Sequence, residues 1–445
     1  MTEGSIFQKI LFFSIPLILG NLLQQLYNTA DSVMVGNFVG SNALAAVGAS
    51  SSMIYLLIAF SQGAAVGAGV IVAQYLGARD KKSVSDAVHT SLVIAGILGI
   101  VLTIAGIVLS RQLLEWMKTP EEVMEQAVTY FRLYSAGMFF GIVYNMAAGI
   151  LNAAGNSKRS LLYLAVASFT NIILDILFIA ILDMGVAGAA IATDISQAVS
   201  CILSMAFLMR VKDSYQVSLK KLKIHRRIAG SMIRVGLPTG IQNMVISLSN
   251  VLVQTSVNGF GAAAMAGYTA YLKIDGFNIL PVMSFSMAVT TFAGQNYGAG
   301  NYDRVKKGMY VTLAMGFVYT VLTGALLLTF DDQIMGMFSR DAEVITCGKL
   351  AMKYFCPFYF ILSILHGLSG ALRGVGKSIP PMVVLLLSLC VFRIFWIWLV
   401  LPHFSTIEGV YLLYPVSWAL GAVMIIIYAC TAKWLPAGRQ QGRVR

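Results

Sequence analysis

Asp31, Asn171, Asp175 and Thr193 offer oxygen ligands from within stretches apolar enough to cross a membrane. A charged side chain at the centre of a membrane helix costs about 2.5–3.5 kcal/mol on insertion scales, so such a residue calls for a function. In the first stretch Asn21, Gln24, Asn28 and Asp31 follow one another at three, four and three residues, which aligns them on one helix face. Ser168, Asn171 and Asp175 repeat that spacing in the fifth stretch, and Thr193 and Gln197 stand four apart in the sixth, with Asp194 expected on another face. At a rise of about 1.5 Å per residue, Asp31, Asp175 and Thr193 fall at similar depths in the outer half of their spans. Two carboxylates, an amide and a hydroxyl form a hard-oxygen set suited to Na⁺ or to a shared proton. Two carboxylates cannot easily both stay charged in a low dielectric. A cation relieves their repulsion and thereby gains differential affinity for one conformation. The plainer reading is that Asp31 caps the outer end of its helix and Asp175 bonds a neighbour.

The elements that must position these groups are membrane helices. Apolar residues make up 58% of the 445-residue chain and charged residues 11%, against roughly 25% charged in an ordinary soluble domain. Stretches of the roughly 20 apolar residues that a span needs recur along the chain. We expect an all-α integral membrane protein of about twelve spans, near 12–36, 44–76, 87–110, 125–150, 160–182, 185–209, 229–256, 264–296, 308–330, 344–371, 379–401 and 409–432. Met1 to Lys9 runs straight into the first span, without the pattern of a cleavable signal. The five cysteines are scattered through apolar segments and suggest neither a disulfide framework nor a metal site.

The net charge of +12 belongs to topology and calls for no nucleic acid. When the connections are assigned alternately to the two sides, 22 basic residues fall on one side, while the other holds only Arg111, Lys118 and Arg340. That bias predicts cytoplasmic termini.

The chain also repeats itself. Gln74-Tyr75-Leu76-Gly77-Ala78 returns as Gln295-Asn296-Tyr297-Gly298-Ala299, and Gly149, Gly155 and Ser157 return as Gly370, Gly376 and Ser378, both at an offset of 221. Pro16, Asn21 and Asn28 return as Pro238, Asn243 and Asn250 at 222. An even number of spans per copy gives both copies one orientation, related by a pseudo-two-fold along the membrane normal, an arrangement that transporters use. The predicted division is a six-helix lobe over 1–210, a basic cytoplasmic linker over 211–228, a second six-helix lobe over 229–434 and a cytoplasmic tail over 435–445. A duplicated bundle with no transport role would leave the same signature.

The halves have diverged. Val253 takes the place of Asp31, and Phe392 and Trp396 take those of Asn171 and Asp175. The second half keeps Asn243 and Asn250 on a neutral polar face, Lys273 and Asp275 in the eighth span, His366 in the tenth and Arg393 in the eleventh. Lys273 and Asp275, two residues apart, cannot share a helix face. With Gln24, Asn28 and Gln197 from the first half, Asn243, Asn250, Lys273, Asp275 and His366 are candidates to line a substrate cavity. The many methionines and aromatics read first as packing and lipid-facing surface.

Over nearly its whole length the sequence resembles the multidrug and toxic compound extrusion (MATE) transporters, most of all the DinF-like and MepA-like members. The resemblance rests on Ile15-Pro16 with Asp31 and Val35-Gly36, the two Gln-x-x-Gly-Ala stretches, and Gly149 to Ser157 with its repeat. In DinF-like proteins an Asp on the first span, an Asn and an Asp four apart on the fifth, and a Thr on the sixth form a cation site. Asp31, Asn171, Asp175 and Thr193 match those positions and would be the Na⁺ ligands of a sodium-coupled protein. Carboxylates on spans seven and ten, a NorM-like feature, are missing here. The resemblance implies a V-shaped pair of lobes and alternating access. It also implies export of amphipathic, often cationic compounds against inward Na⁺ or H⁺ flow.

The expected function is therefore a monomeric Na⁺- or H⁺-coupled antiporter of a bacterial plasma membrane. Small organic substrates and membrane lipid would be its partners, with no nucleic acid and no cofactor beyond the coupling ion. A lipid-linked precursor flippase of the same superfamily is the nearest rival, although such proteins typically have fourteen spans and a cationic central cavity. An intramembrane enzyme would need a motif such as HExxH or paired Ser/Lys, and none is present. A passive channel would show uncoupled flux.

Overall fold

Long hydrophobic segments leave the backbone no partner but itself, and the helix satisfies it. In the computed structural model, which describes residues 1–436, the first repeat forms α1 (Ile6–Met34), α2 (Ser41–Gly77), α3 (Lys81–Trp116), α4 (Glu121–Ala153), α5 (Ser157–Asp175) and α6 (Gly185–Arg210). The second forms α7 (Arg226–Asn258), α8 (Ala262–Gly298), α9 (Tyr302–Thr329), a short α10 (Asp331–Gly336), α11 (Ala342–Phe355) and α12 (Tyr359–Gly374). It ends with α13 (Ile379–Leu385), α14 (Phe392–Phe395) and α15 (Glu408–Thr431). The tenth span is α11 and α12 joined by a tight turn at Cys356–Phe358, and the eleventh runs from α13 through α14. Of the expected tail, 437–445 lies outside the described residues.

Among the described residues eleven helices are long and apolar enough to cross a membrane. The remaining span expected from sequence is α7, a 33-residue helix. Its length suffices, but Asn243, Ser247, Asn250 and Gln254 dilute its hydropathy. The chain is a multi-pass membrane protein.

Repeat symmetry extends to the turns. Gly40 separates α1 from α2 at φ 113°, and Gly261, 221 residues later, separates α7 from α8 at φ 98°. Both need the left-handed backbone that glycine alone adopts without steric cost.

Two compact units result, Ile15–Gly240 and Met1–Ser14 with Ile241–Arg445. This differs from the division expected at the linker, because α1 and α7 each change unit beside a proline, Pro16 and Pro238. The reasons are local. A Cβ on Gly63 of α2 would lie 2.5 Å from the Gly240 nitrogen, and one on Gly67 would lie 2.4 Å from the Met232 carbonyl oxygen. Only glycine lets the two helices approach so closely, which binds the first half of α7 to α2. In the other unit Arg304 donates from Nη2 to the Gly4 carbonyl at 2.8 Å and holds the start of the chain. In Ile15–Gly240 helix α4 is the hub, packed against α2, α3 and α6; in the other unit α11 and α12 take that place, against α8, α9 and α15.

Candidate functional site

The site lies within Ile15–Gly240. A polar cavity there is lined by Gln24 and Tyr27 of α1, Tyr134 and Asn145 of α4, Ser168 and Asn171 of α5, and Ser196, Gln197 and Ser200 of α6. Gln197 Nε2 donates to the Tyr134 hydroxyl at 3.2 Å. On all three helices from which the expected cation ligands come, the lining stops one turn or less short of those ligands. Tyr27 precedes Asp31 by four residues, Asn171 precedes Asp175 by four, and Ser196 follows Thr193 by three. Asp31, Asp175 and Thr193 therefore stand just past one end of the cavity, and Asn171 belongs to both.

Asn171 and Asp175 are each 1% exposed. Asn171 Nδ2 makes a long 3.5 Å contact with Thr193 Oγ1, which itself donates to the Ala189 carbonyl at 3.0 Å. The acceptors are left open: both Asp175 oxygens, Asn171 Oδ1 and Asp31 Oδ1 are shielded from solvent and have no hydrogen-bond donor. Asp31 lies near enough to Asp175 for the Asp175 carboxylate to feel its charge. A buried acceptor without a donor is costly, and a cluster of them is the arrangement that a bound cation or proton completes. Asp175 is also the last residue of α5 before a π-helical turn, Ile176–Ile181, and Asp31 stands four residues before another, Val35–Val39. Such turns interrupt the regular helical ladder and recur at functional sites.

The remaining cavity candidates separate. Gln24 and Gln197 line the cavity, whereas Asn28 is exposed and lies outside its lining. Asn243, Asn250, Lys273, Asp275 and His366 belong to the other unit and do not line this cavity. There Asn243 is half-buried, Asn250 and Lys273 are exposed, and His366 is 5% exposed. Asp275 is bonded to tyrosine: its Oδ1 accepts from Tyr359 at 2.5 Å and from Tyr271 at 3.3 Å.

One expected pairing is divided differently. Thr193 turns to Asn171 on α5, while Gln197 and Asp194, predicted on separate faces, both fit against glycines of α4. Sequence reasoning also missed Tyr27, Tyr134 and Tyr144, all in the cavity wall. Tyr27 and Tyr134 lie on different helices, so spacing along the chain was no guide and they share one wall only once α1 and α4 are packed; the polar run Gln24, Tyr27, Asn28 was the available signal.

Comparison with known proteins identifies the family. The MatE family model matches residues 16–177 and again 238–399, one match per repeat. A probable multidrug resistance protein of Bacillus subtilis, YpnP, is 30% identical over 392 residues, covering 88% of each chain. The probable multidrug resistance protein NorM of Thermotoga maritima is 26% identical, over 87% of this chain and 84% of its own. Among solved structures, an outward-facing multidrug resistance MATE transporter of the MOP superfamily superposes with a TM-score of 0.90 at 25% identity, covering 96% of both chains. A MOP superfamily transporter from Pyrococcus furiosus, described as having a binding pocket of reversed polarity, gives 0.89 at 26% identity and the same coverage. With both repeats matched and relatives similar along nearly its whole length, the chain belongs to the MATE family of multidrug efflux transporters.

Proposed function

We propose that the protein is a Na⁺- or H⁺-coupled antiporter that exports amphipathic, often cationic organic compounds by alternating access. The observation that carries this reading is the set of donorless oxygens on Asp31, Asn171 and Asp175 at the end of the cavity. Asp31 and Asp175 supply charge, and Asn171 and Thr193 supply neutral ligands that complete a Na⁺ shell or orient a protonated carboxyl. Binding relieves the repulsion between the carboxylates, so the cation favours the conformation that brings them together. Gln24, Gln197 and Tyr134 offer the substrate amide and hydroxyl contacts one turn away. The protein acts as a monomer in a bacterial plasma membrane with both termini cytoplasmic, a topology supported by the basic residues of the alternate connections.

The test is substrate efflux from proteoliposomes under separately imposed Na⁺ and pH gradients, with Asp175→Asn beside the wild type. Efflux driven by one gradient and lost in the variant supports the reading and identifies the ion. Flux indifferent to both gradients overturns it.

A further inference from the structure

The connection between α6 and α7 is pinned to α3. Tyr215 and Val217, 8% and 3% exposed, belong to the same buried cluster as Val84 and Val88 of α3. Next to them the Ser218 N–H donates to His89 Nε2 at 3.0 Å, and further on the His225 N–H donates to Thr90 Oγ1 at 3.2 Å. Thr90 Oγ1 in turn donates to the Lys223 carbonyl at 3.2 Å, and His225 Nε2 lies 3.8 Å from Asp86 Oδ1. Between Ser218 and His225 every residue is exposed, and apolar side chains are interleaved with lysines: Leu219, Lys220, Lys221, Leu222, Lys223 and Ile224. Leu219 is 63% exposed, and Leu222 and Ile224 are each 41% exposed. Arg226 and Arg227 follow, also exposed, and no Asp or Glu occurs from 214 to 227.

The pins fix the depth of this strip. Helix α3 carries no Asp, Glu, Lys or Arg between Asp86 and Arg111, and residues 92–109 are apolar but for Thr103. Those residues span about 27 Å at the helical rise, close to the roughly 30 Å of a hydrocarbon core. His89 and Thr90 stand just before them, so the strip is held at the level where α3 enters lipid. An exposed apolar side chain at that level meets the boundary of headgroups and acyl chains, and a lysine beside it keeps its ammonium among the headgroups. Topology alone accounts for the basic residues, but it gives no reason for three large apolar side chains to stand open among them.

We propose that residues 218–227 form a docking strip for anionic phospholipid at the membrane surface beside the amino end of α3. Lys220, Lys221 and Lys223, with Arg226 and Arg227, attract the negatively charged headgroups, while Leu219, Leu222 and Ile224 sink into the interface. None of these residues lines the cavity or belongs to the cation ligands, so the strip stands independently of the ion-coupling reading.

The test uses the full-length protein in nanodiscs of phosphatidylcholine, alone or mixed with phosphatidylglycerol. Trypsin should cut the strip rapidly in phosphatidylcholine and slowly in the mixture, measured against a soluble trypsin substrate in the same sample. High salt should restore cutting in the mixture, because it screens the headgroup attraction. Leu219→Ser, Leu222→Ser and Ile224→Ser together keep every cleavage site and should be cut several-fold faster than the wild type in the mixture. Lys220→Gln, Lys221→Gln and Lys223→Gln together should lower the preference for phosphatidylglycerol over phosphatidylcholine in native mass spectra, by about fivefold per lysine. Size-exclusion elution checks the fold of each variant. Equal cutting of the wild type in both lipids leaves the strip free for a soluble acidic partner and overturns the proposal. So does an unchanged headgroup preference in the folded lysine variant.

Discussion

The two compact units hold their buried carboxylates in different ways. In Ile15–Gly240 Asp31 Oδ1, both oxygens of Asp175 and Asp194 Oδ1 are shielded without a donor. In the other unit Asp275 and Arg393 are well bonded, although Arg304 Nε and Arg373 Nε are buried without a partner. Asp275 receives two tyrosine hydroxyls on one oxygen. Arg393, 2% exposed, donates to Ser417 Oγ at 3.1 Å and to Ser249 Oγ at 2.9 Å, and its guanidinium lies 4.4 Å from the Tyr414 ring. Tyr414 in turn meets the Tyr268 hydroxyl at 2.5 Å. Satisfied networks make a core rigid, while an unpaired buried acceptor is costly. The residues that replace the first repeat's site make the same point. Val253, in place of Asp31, is fully buried in the apolar core, and Trp396, in place of Asp175, donates from Nε1 to the Gly409 carbonyl at 2.9 Å. Duplication supplied two scaffolds, and divergence left donorless carboxylate oxygens in one and tyrosine-bonded Asp275 in the other.

The sharpest way to break this contrast is Asp175→Asn. If the open acceptors couple transport, the ion gradient loses its grip on substrate affinity, a coupling of about 1–3 kcal/mol or roughly 5–150-fold, measured as gradient-dependent efflux. Tyr359→Phe probes the bonded carboxylate of the other unit, Asp275. It should lower stability by about 1.5–3 kcal/mol, the worth of a hydrogen bond to a charged group, and leave ion coupling intact in the same efflux assay. Trp396→Phe should cost about 1 kcal/mol in thermal unfolding for its lost bond to the Gly409 carbonyl, again without altering coupling. A change of coupling ion or stoichiometry in either aromatic variant would erase the distinction between the units.

The smallest effect concerns a cap on the first unit. Asp80 accepts from the Ser83 backbone N–H at 3.1 Å at the start of α3. The Ser83 hydroxyl first, and then its N–H, hold the Asp80 carboxyl below the ordinary carboxylate range. Its contribution is present above that range and fades as the pH falls through the lower folded-state value. Asn301, its repeat partner at the start of α9, has no such titration. Asp80→Asn should flatten the acid limb of the unfolding curve slightly, without moving the neutral-pH midpoint by much.

Much of this was legible in the residues. Hydropathy and the 221-residue offset gave the spans and the repeat, because lipid forces long apolar helices and duplication preserves register. Three-and-four spacing placed Asn171 and Asp175 on one face, a property of a single helix. Facing partners were not legible. Spacing says which side chains align but not which neighbour they meet, so the fit of Asp194 against Gly137 and of Gln197 against Gly141 emerges only once α4 and α6 are packed. The exchange of α1 and α7 between units was hidden for the same reason, since it depends on Gly63 and Gly67 meeting α7.

That exchange sets the order in which the protein can be made. Gly4 finds its Arg304 partner 300 residues later in the chain. At about 5–20 residues per second of synthesis, roughly 15–60 s separate the two. Over that interval the first turns of α1 must wait in the membrane without their own unit, while the helices from α2 onward are already assembling. Cutting the gene at the linker therefore yields two pieces, neither of which holds a whole unit: the first piece lacks the start of α7, and the second lacks the start of α1.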